Sequence, residues 1–221
     1  MHYGREFMEA VDELHAQYDY DPDFWSLTRR LNIPVAVGEY NSAVILPGRP
    51  PRKLITLNSD VYYGTWTFTR FHELAHFVLR DSGIEKQLRG EADDPNQFTA
   101  WVEGYCNFGA AQFQAPNPML RRVLGRWGYA PHAVLELADL DGVDLFDAMH
   151  RVAHGFLDDD ARRTVMLIQN KRLRKCVSTT YFPHDEGQRL PEATVTYPGT
   201  RLLTLPERFG WGRVIGVLNS A

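Results

Sequence analysis

The sequence predicts an α+β fold, and three observations carry that expectation. Three short runs with strand character lie between residues 33 and 57. An apolar stretch without Pro or Gly then runs from Trp66 to Ser82, the pattern of a buried-face helix. Beyond Asp160, further strand-like runs are separated by Pro, Gly and charged turns, with helical periodicity filling most of what lies between.

Taken in order, Phe7, Val11, Leu14 and Tyr18 recur at helical spacing and predict an amphipathic helix from Arg5 to about Tyr18, broken by Asp19-Tyr20-Asp21-Pro22. A second short helix is expected from Asp23 to about Leu31. Ile33-Pro34-Val35-Ala36-Val37 and Ser42-Ala43-Val44-Ile45-Leu46 read as strands joined around Gly38-Glu39-Tyr40-Asn41. Pro47-Gly48-Arg49-Pro50-Pro51 reads as an exposed turn, and Lys53-Leu54-Ile55-Thr56-Leu57 as a third strand. The helix from Trp66 presents Phe71, Leu74, Ala75 and Val78 as a core stripe and stops at Asp81-Ser82-Gly83, with Gly83 in the C′ position. From Asp81 to Pro95 the chain is polar and reads as a solvated connection.

The Trp66–Ser82 helix carries H-E-x-x-H as His72-Glu73-Leu74-Ala75-His76. Positions four apart on a helix lie one above the other, so His72 and His76 can aim two imidazoles at one point. Glu73, beside the first of them, can take a proton from an attacking water. Two neutral imidazoles and an adjacent carboxylate are what hydrolytic zinc chemistry requires. A catalytic zinc site takes a third protein ligand and keeps one position open. Leu79 and Ser82 stand where a metzincin would have Gly and His, so that class is excluded. The better candidate is Glu103, the one charged residue in an otherwise largely apolar helical run from Asn96 to Phe113. A lone carboxylate in that setting needs a partner or a cation. Cys106, on the same run, reads as a small buried filler.

Val102-Glu103-Gly104-Tyr105-Cys106-Asn107-Phe108-Gly109-Ala110-Ala111 resembles the third-ligand helix of the ImmA/IrrE family of metallopeptidases, whose IrrE (PprI) branch carries E-x-x-C-N-x-G/A-A-A there. The entry Thr69-Arg70-Phe71-His72 and the 27 positions from His76 to Glu103 resemble the same branch. Where that family ends the helix with L-L-M-P, this chain has Gln112-Phe113-Gln114-Ala115-Pro116 and keeps only the Pro. Three strands leading straight into the histidine helix also match the arrangement of zincins, in which an edge strand commonly holds the substrate backbone. The resemblance implies a zincin-like metallopeptidase domain over 1–116 and a helical, helix-turn-helix-like subdomain over 117–160, and the strand-like pattern beyond them predicts a β-rich region over 161–221. It implies that His72, His76 and Glu103 bind zinc, with manganese as the alternative, and that Glu73 is the catalytic base. It further implies a site-specific protease that cleaves a Cro/CI-type helix-turn-helix repressor in a stress or DNA-damage response. The contrasting expectation is a metal-containing regulatory protein that sequesters a partner, or binds DNA, without cutting.

After Asn117-Pro118, helical patterns cover about Met119–Trp127, His132–Ala138 and Leu145–Gly155, broken by Gly125, Gly128 and Gly142. Between Pro118 and Asp160 four Arg stand against eight acidic residues, the wrong balance for a DNA-reading surface, so direct nucleic-acid binding is not expected there. His150 and His154 repeat the i, i+4 spacing, but Arg151 occupies the base position, and the pair is read as having no ligand function. His132, His184, Tyr62, Tyr63 and Tyr105 are all candidate transition-state donors. Asp158-Asp159-Asp160 marks a boundary. Strands are expected at Thr164–Gln169, Cys176–Phe182, Thr194–Tyr197, Leu202–Leu205 and Val214–Leu218, with Asn170-Lys171-Arg172-Leu173-Arg174-Lys175 as a basic solvated turn. The IrrE branch carries a longer GAF-like sensing domain here, and this stretch is too short for a complete one.

Composition narrows the class. With 221 residues, 44% hydrophobic and 24% charged, the chain can bury a sizeable core. No apolar run approaches a membrane span, the start Met1-His2-Tyr3-Gly4-Arg5-Glu6 lacks a signal peptide's apolar core, and the two cysteines make no disulfide framework. A cytoplasmic protein without a membrane partner is expected. A net charge of −4 adds no general attraction to nucleic acid.

Overall fold

The computed structural model describes residues 3–140, 143–156, 162–190 and 192–220. Gly142 and the Asp158-Asp159-Asp160 boundary lie outside them. The chain is a mixed α+β protein that divides into two compact units, Met1–Pro116 and Asn117–Ala221, so that the helices after Pro116 and the second sheet share one unit.

In the first unit, α1 (Gly4–Ala16) and α2 (Phe24–Arg30) precede β1 (Val35–Val37), β2 (Ser42–Leu46) and β3 (Arg52–Leu57). Asp23 caps α2, accepting from the Ser26 amide at 2.7 Å. The strand order is β1-β3-β2, with β1 parallel and β2 antiparallel to the central β3, so both β1 and β2 are edges. Next come α3 (Ser59–Tyr63), α4 (Thr67–Asp81), α5 (Ile84–Glu91) and α6 (Pro95–Gln114). The expected core stripe of α4 is buried throughout, and Phe77 and Leu79 are buried with it. A helix apolar nearly all round belongs in the middle of a unit. Accordingly α4 packs on α6, α1 and the sheet, within a core that also takes Phe7, Phe24, Ile55 and Phe113. Gly83, just past the Ser82 C-cap, has φ 80°, the left-handed turn-out expected of it.

Two helices here have no counterpart in the sequence reading. The polar stretch 81–95 contains α5, because Ile84 and Leu88, four apart, are buried while Glu85 pairs with Arg80 and Arg89 on the outside. The other is α3, a single turn capped by Asn58, whose side chain accepts from the Val61 amide at 2.9 Å.

In the second unit, α7 (Asn117–Trp127), α8 (Pro131–Ala138) and α9 (Leu145–His154) precede an antiparallel sheet of order β5-β4-β7-β6. Its strands are β4 (Arg162–Gln169), β5 (Arg172–Ser178), β6 (Arg201–Thr204) and β7 (Arg213–Ser220). Central β4 is buried from Arg163 to Ile168. The basic run 170–175 is only partly a turn: Asn170 and Lys171, with φ 52° and 57°, make a tight hairpin, and from Arg172 on the residues belong to β5. That strand ends at Ser178, short of the expected Phe182. The expected strand at Thr194–Tyr197 is instead a one-turn helix, α10 (Ala193–Thr196). Its β-branched residues favour a strand only where a ladder partner exists. Here Val195 is exposed and the Thr196 hydroxyl bonds back to the Glu192 carbonyl at 3.1 Å. Among the described residues no helix is long and apolar enough to cross a membrane.

Candidate metal centre

Two helices build the site. His72 and His76 stand one turn apart on α4, their ring centroids 4.9 Å apart. Glu103 comes from α6, which starts on an Asp94 cap that accepts from the Asn96 and Gln97 amides at 2.7 and 3.0 Å. The helices approach closely because Gly109 faces Ala75, one residue before His76: a Cβ at 109 would lie 2.9 Å from the Ala75 Cβ. With α6 seated this way, Glu103 Oε2 is 3.2 Å from His72 Nε2 and Oε1 is 3.8 Å from His76 Nε2, while the two Nε2 atoms are 3.2 Å apart.

Those three spacings bear directly on a cation. Bonds of about 2.1 Å at tetrahedral angles hold neighbouring ligand atoms about 3.4 Å apart, close to the 3.2 Å between the two Nε2 atoms and the 3.2 Å from His72 Nε2 to Glu103 Oε2. One nitrogen, one nitrogen and one carboxylate oxygen, all within 4.8 Å of one another, form the group among the described residues suited to hold a metal ion. The donor set suits zinc or another borderline divalent ion. The imidazoles are mostly covered, whereas the Glu103 side chain is half exposed, so the site opens to solvent on the α6 side.

The histidines are prepared as ligands. Nδ1 of His72 lies 3.0 Å from Asn107 Oδ1. An amide oxygen can only accept, so Nδ1 carries the proton and Nε2 turns its lone pair toward Glu103 and His76. Burial, and then the neighbouring His72, hold the His76 pKa below its ordinary value, favouring the neutral ligand form. Glu73, immediately after His72, is buried at 6% exposure, and burial followed by the charge of Glu103 pushes its carboxyl up to about 7. A carboxyl poised there can both take and return a proton near neutrality.

Arg70 and Asn107 matter here although the sequence reading gave neither a role. Arg70 is buried and caps the end of α3, donating to the carbonyls of Val61, Tyr62 and Gly64 at 2.9, 3.0 and 2.6 Å. This clamps the segment entering the histidine helix. The signal for Asn107 was its place four residues after Glu103, on the same face of α6. Of the candidate donors, Tyr105 is excluded: it is buried, its ring packs edge-on to Phe7 at 5.8 Å, and its hydroxyl meets the Tyr3 backbone. Tyr62 packs edge-on against Trp25, and Tyr63, beside it, is largely exposed. His132 and His184 belong to the second unit, where they contact Trp127 and Phe182. Cys106 is a buried free thiol whose pKa burial raises, an inert filler.

No family model matches the chain. It is 30% identical over 105 residues to the radiation response metalloprotease IrrE of Deinococcus deserti, a match covering 47% of this chain and 37% of that protein. The chain thus spans little more than a third of that relative's length. In structure it is similar to a Mycobacterium tuberculosis transcriptional regulator, with a TM-score of 0.56 over 96% of this chain and 76% of the other. At 11% sequence identity, that likeness concerns the fold alone. The distant likeness is thus to a metalloprotease, and the described residues hold a His-His-Glu group suited to a metal ion.

Proposed function

We propose that the chain is a metal-dependent, site-specific endopeptidase with His72, His76 and Glu103 as ligands and Glu73 as general base and acid. The observation that carries this reading is the convergence of three donor atoms from two helices, beside a buried carboxyl poised at about 7. When bound, a divalent cation, zinc in the first instance, supplies Lewis-acid activation of water and of the scissile carbonyl. The chain's own groups do the rest. Asn107 holds His72 in the tautomer that keeps Nε2 facing the site. Glu73 accepts the proton of the attacking water and returns it to the leaving amine. The edges β1 and β2 offer unpaired backbone groups on which an extended substrate segment can add as a further strand.

We place this first unit among the zincin-like domains and take α7–α9 as the helix-turn-helix-like subdomain of the ImmA/IrrE pattern. The substrate we propose is a helix-turn-helix repressor, cut in the cytoplasm to relieve repression under stress; the likeness to a radiation response metalloprotease supports that setting. The test co-expresses the chain with repressors encoded beside it, with and without Glu73→Gln. Repressor fragments are expected only with the intact glutamate. Loss of at least about a hundredfold in cleavage rate is expected of a missing general base, with bound metal retained. Repressor that stays intact yet co-purifies with both forms would make the protein a sequestering factor instead.

A further inference from the structure

The last stretch of the chain carries an excess of positive charge. From Ala161 onward ten Lys and Arg stand against four Asp and Glu, the reverse of the balance in 118–160. Strand register decides where that charge goes. Gln169 on β4 pairs with Arg172 on β5 and with Arg213 on β7, and Arg172 bridges to Arg189 on its other side. Residues directly opposite in antiparallel strands put their side chains on the same face. Arg189, Arg172 and Arg213 therefore form one row across the end of the sheet, interrupted only by Gln169. With strands ~4.8 Å apart, the first two rise about 5 Å from each other and the third about 10 Å beyond.

Like charges directly opposite cost stability. Three other cations of this unit are in ion pairs: Arg126 with Glu136 and Lys175 with Glu186, each at 3.1 Å, and Arg208 with Asp139. Among the described residues none of the three row arginines is in an ion pair. Arg172 is held in place by donating to the Gly187 carbonyl at 2.9 Å and is exposed, as is Lys171 at the hairpin tip. Beside the row stands Trp211, 75% exposed, its carbonyl accepting from the Gln169 side-chain amide at 2.7 Å. A row of uncompensated guanidiniums attracts a polyanion. The open indole selects among polyanions, because an acidic peptide gives it nothing to stack on, whereas every nucleobase presents a π-face.

We propose that this end of the sheet, formed by Arg189, Arg172, Gln169 and Arg213 with Lys171 and Trp211, binds single-stranded nucleic acid. The guanidiniums take backbone phosphates and the indole takes a base. The row belongs to the second unit and Glu73 to the first, so the Glu73→Gln chain, in which every residue of the row is kept, is expected to bind equally well. The experiment measures fluorescence anisotropy of a labelled oligo-dT of about twenty nucleotides titrated with the full chain at several salt concentrations. Three phosphate contacts give a slope of log affinity against log salt of about −2. The double variant Arg172→Gln with Arg213→Gln should bind at least about tenfold more weakly and lose more than half of that slope. Trp211→Ala should weaken binding by about fivefold or more with the slope unchanged. As a check on folding, Arg189→Gln should raise the melting temperature by relieving a like-charge pair. The proposal is overturned if the oligonucleotide does not bind at low salt, or binds the double variant as well as the parent chain. It is also overturned if a poly-glutamate peptide displaces the oligonucleotide while Trp211→Ala binds normally, which would make the ligand an acidic protein segment.

Discussion

Asn107 shows how one side chain sets the chemistry of another. Its amide oxygen fixes which His72 nitrogen is protonated, and with it the direction of the lone pair that meets Glu103. Groups in this position typically control metal affinity by about 10–100-fold. Asn107→Ala should therefore lower zinc affinity by that factor, read by competition with a chromophoric chelator. Glu103→Ala should lower it further, since a ligand is removed rather than its support; unchanged zinc content by elemental analysis would demote Glu103. The motif His72-Glu73-Leu74-Ala75-His76 was legible because helix periodicity alone puts the histidines on one face. The Asn107–His72 bond was not, because it joins residues 35 positions apart on different helices, and no local pattern reports such a pairing.

At the scale of elements, α6 carries two glycines with opposite meanings. Gly104 has nothing within 4 Å of a would-be Cβ, whereas one at Gly109 would meet the Ala75 Cβ at 2.9 Å and Phe7 Cζ at 3.0 Å. Gly104→Ala should stabilise the protein by about 0.5–1 kcal/mol through helix propensity and lost unfolded-state entropy. Gly109→Ala meets an overpacking cost of about 1–3 kcal/mol that outweighs the same gain. It should lower the melting temperature and weaken zinc binding by pushing Glu103 away from α4. A second element, α9, stores opposing titrations. Burial brings His150 to about 4 and His154 to about 3, and burial with the neighbouring Asp144 raises Asp147 to about 8. Both imidazoles are depressed, so their contribution is present above the unfolded value of about 6.5 and is lost as pH falls toward their folded values. Asp147 is raised, so its contribution is present below about 3.9 and is lost as pH rises through about 8. Two imidazoles outweigh one carboxyl below about 6.5, and only the carboxyl acts above it. Melting of Asn117–Ala221 should peak near pH 6.5, and Asp147→Asn should remove the decline on the alkaline side; a curve unchanged by that substitution would refute the assignment.

For the whole molecule, the division at Pro116 puts the candidate metal centre in one unit and the second sheet in the other. Zinc binding only the folded first unit stabilises it by about 2.7 kcal/mol at a hundred times its dissociation constant. Calorimetry should accordingly show melting of the first unit that rises with zinc and falls with chelator; melting of that unit that ignores zinc would contradict a site on α4 and α6. By itself the sequence determined the α+β class, the histidine helix with its buried stripe, the Gly83 stop and the strands β1 to β3, since each is written in spacings of two to four residues. It misjudged 194–197, where β-branched residues met no partner strand, and it passed over α5 because Ile84 and Leu88 are thinly spread among charges. Only the tertiary structure decided that Glu103 reaches the histidines, that Tyr105 faces the core, that both β1 and β2 are edges, and that three arginines from separate segments stand in one row. Those are contacts between residues far apart along the chain, selected by packing and strand register, and a one-dimensional pattern holds no record of them.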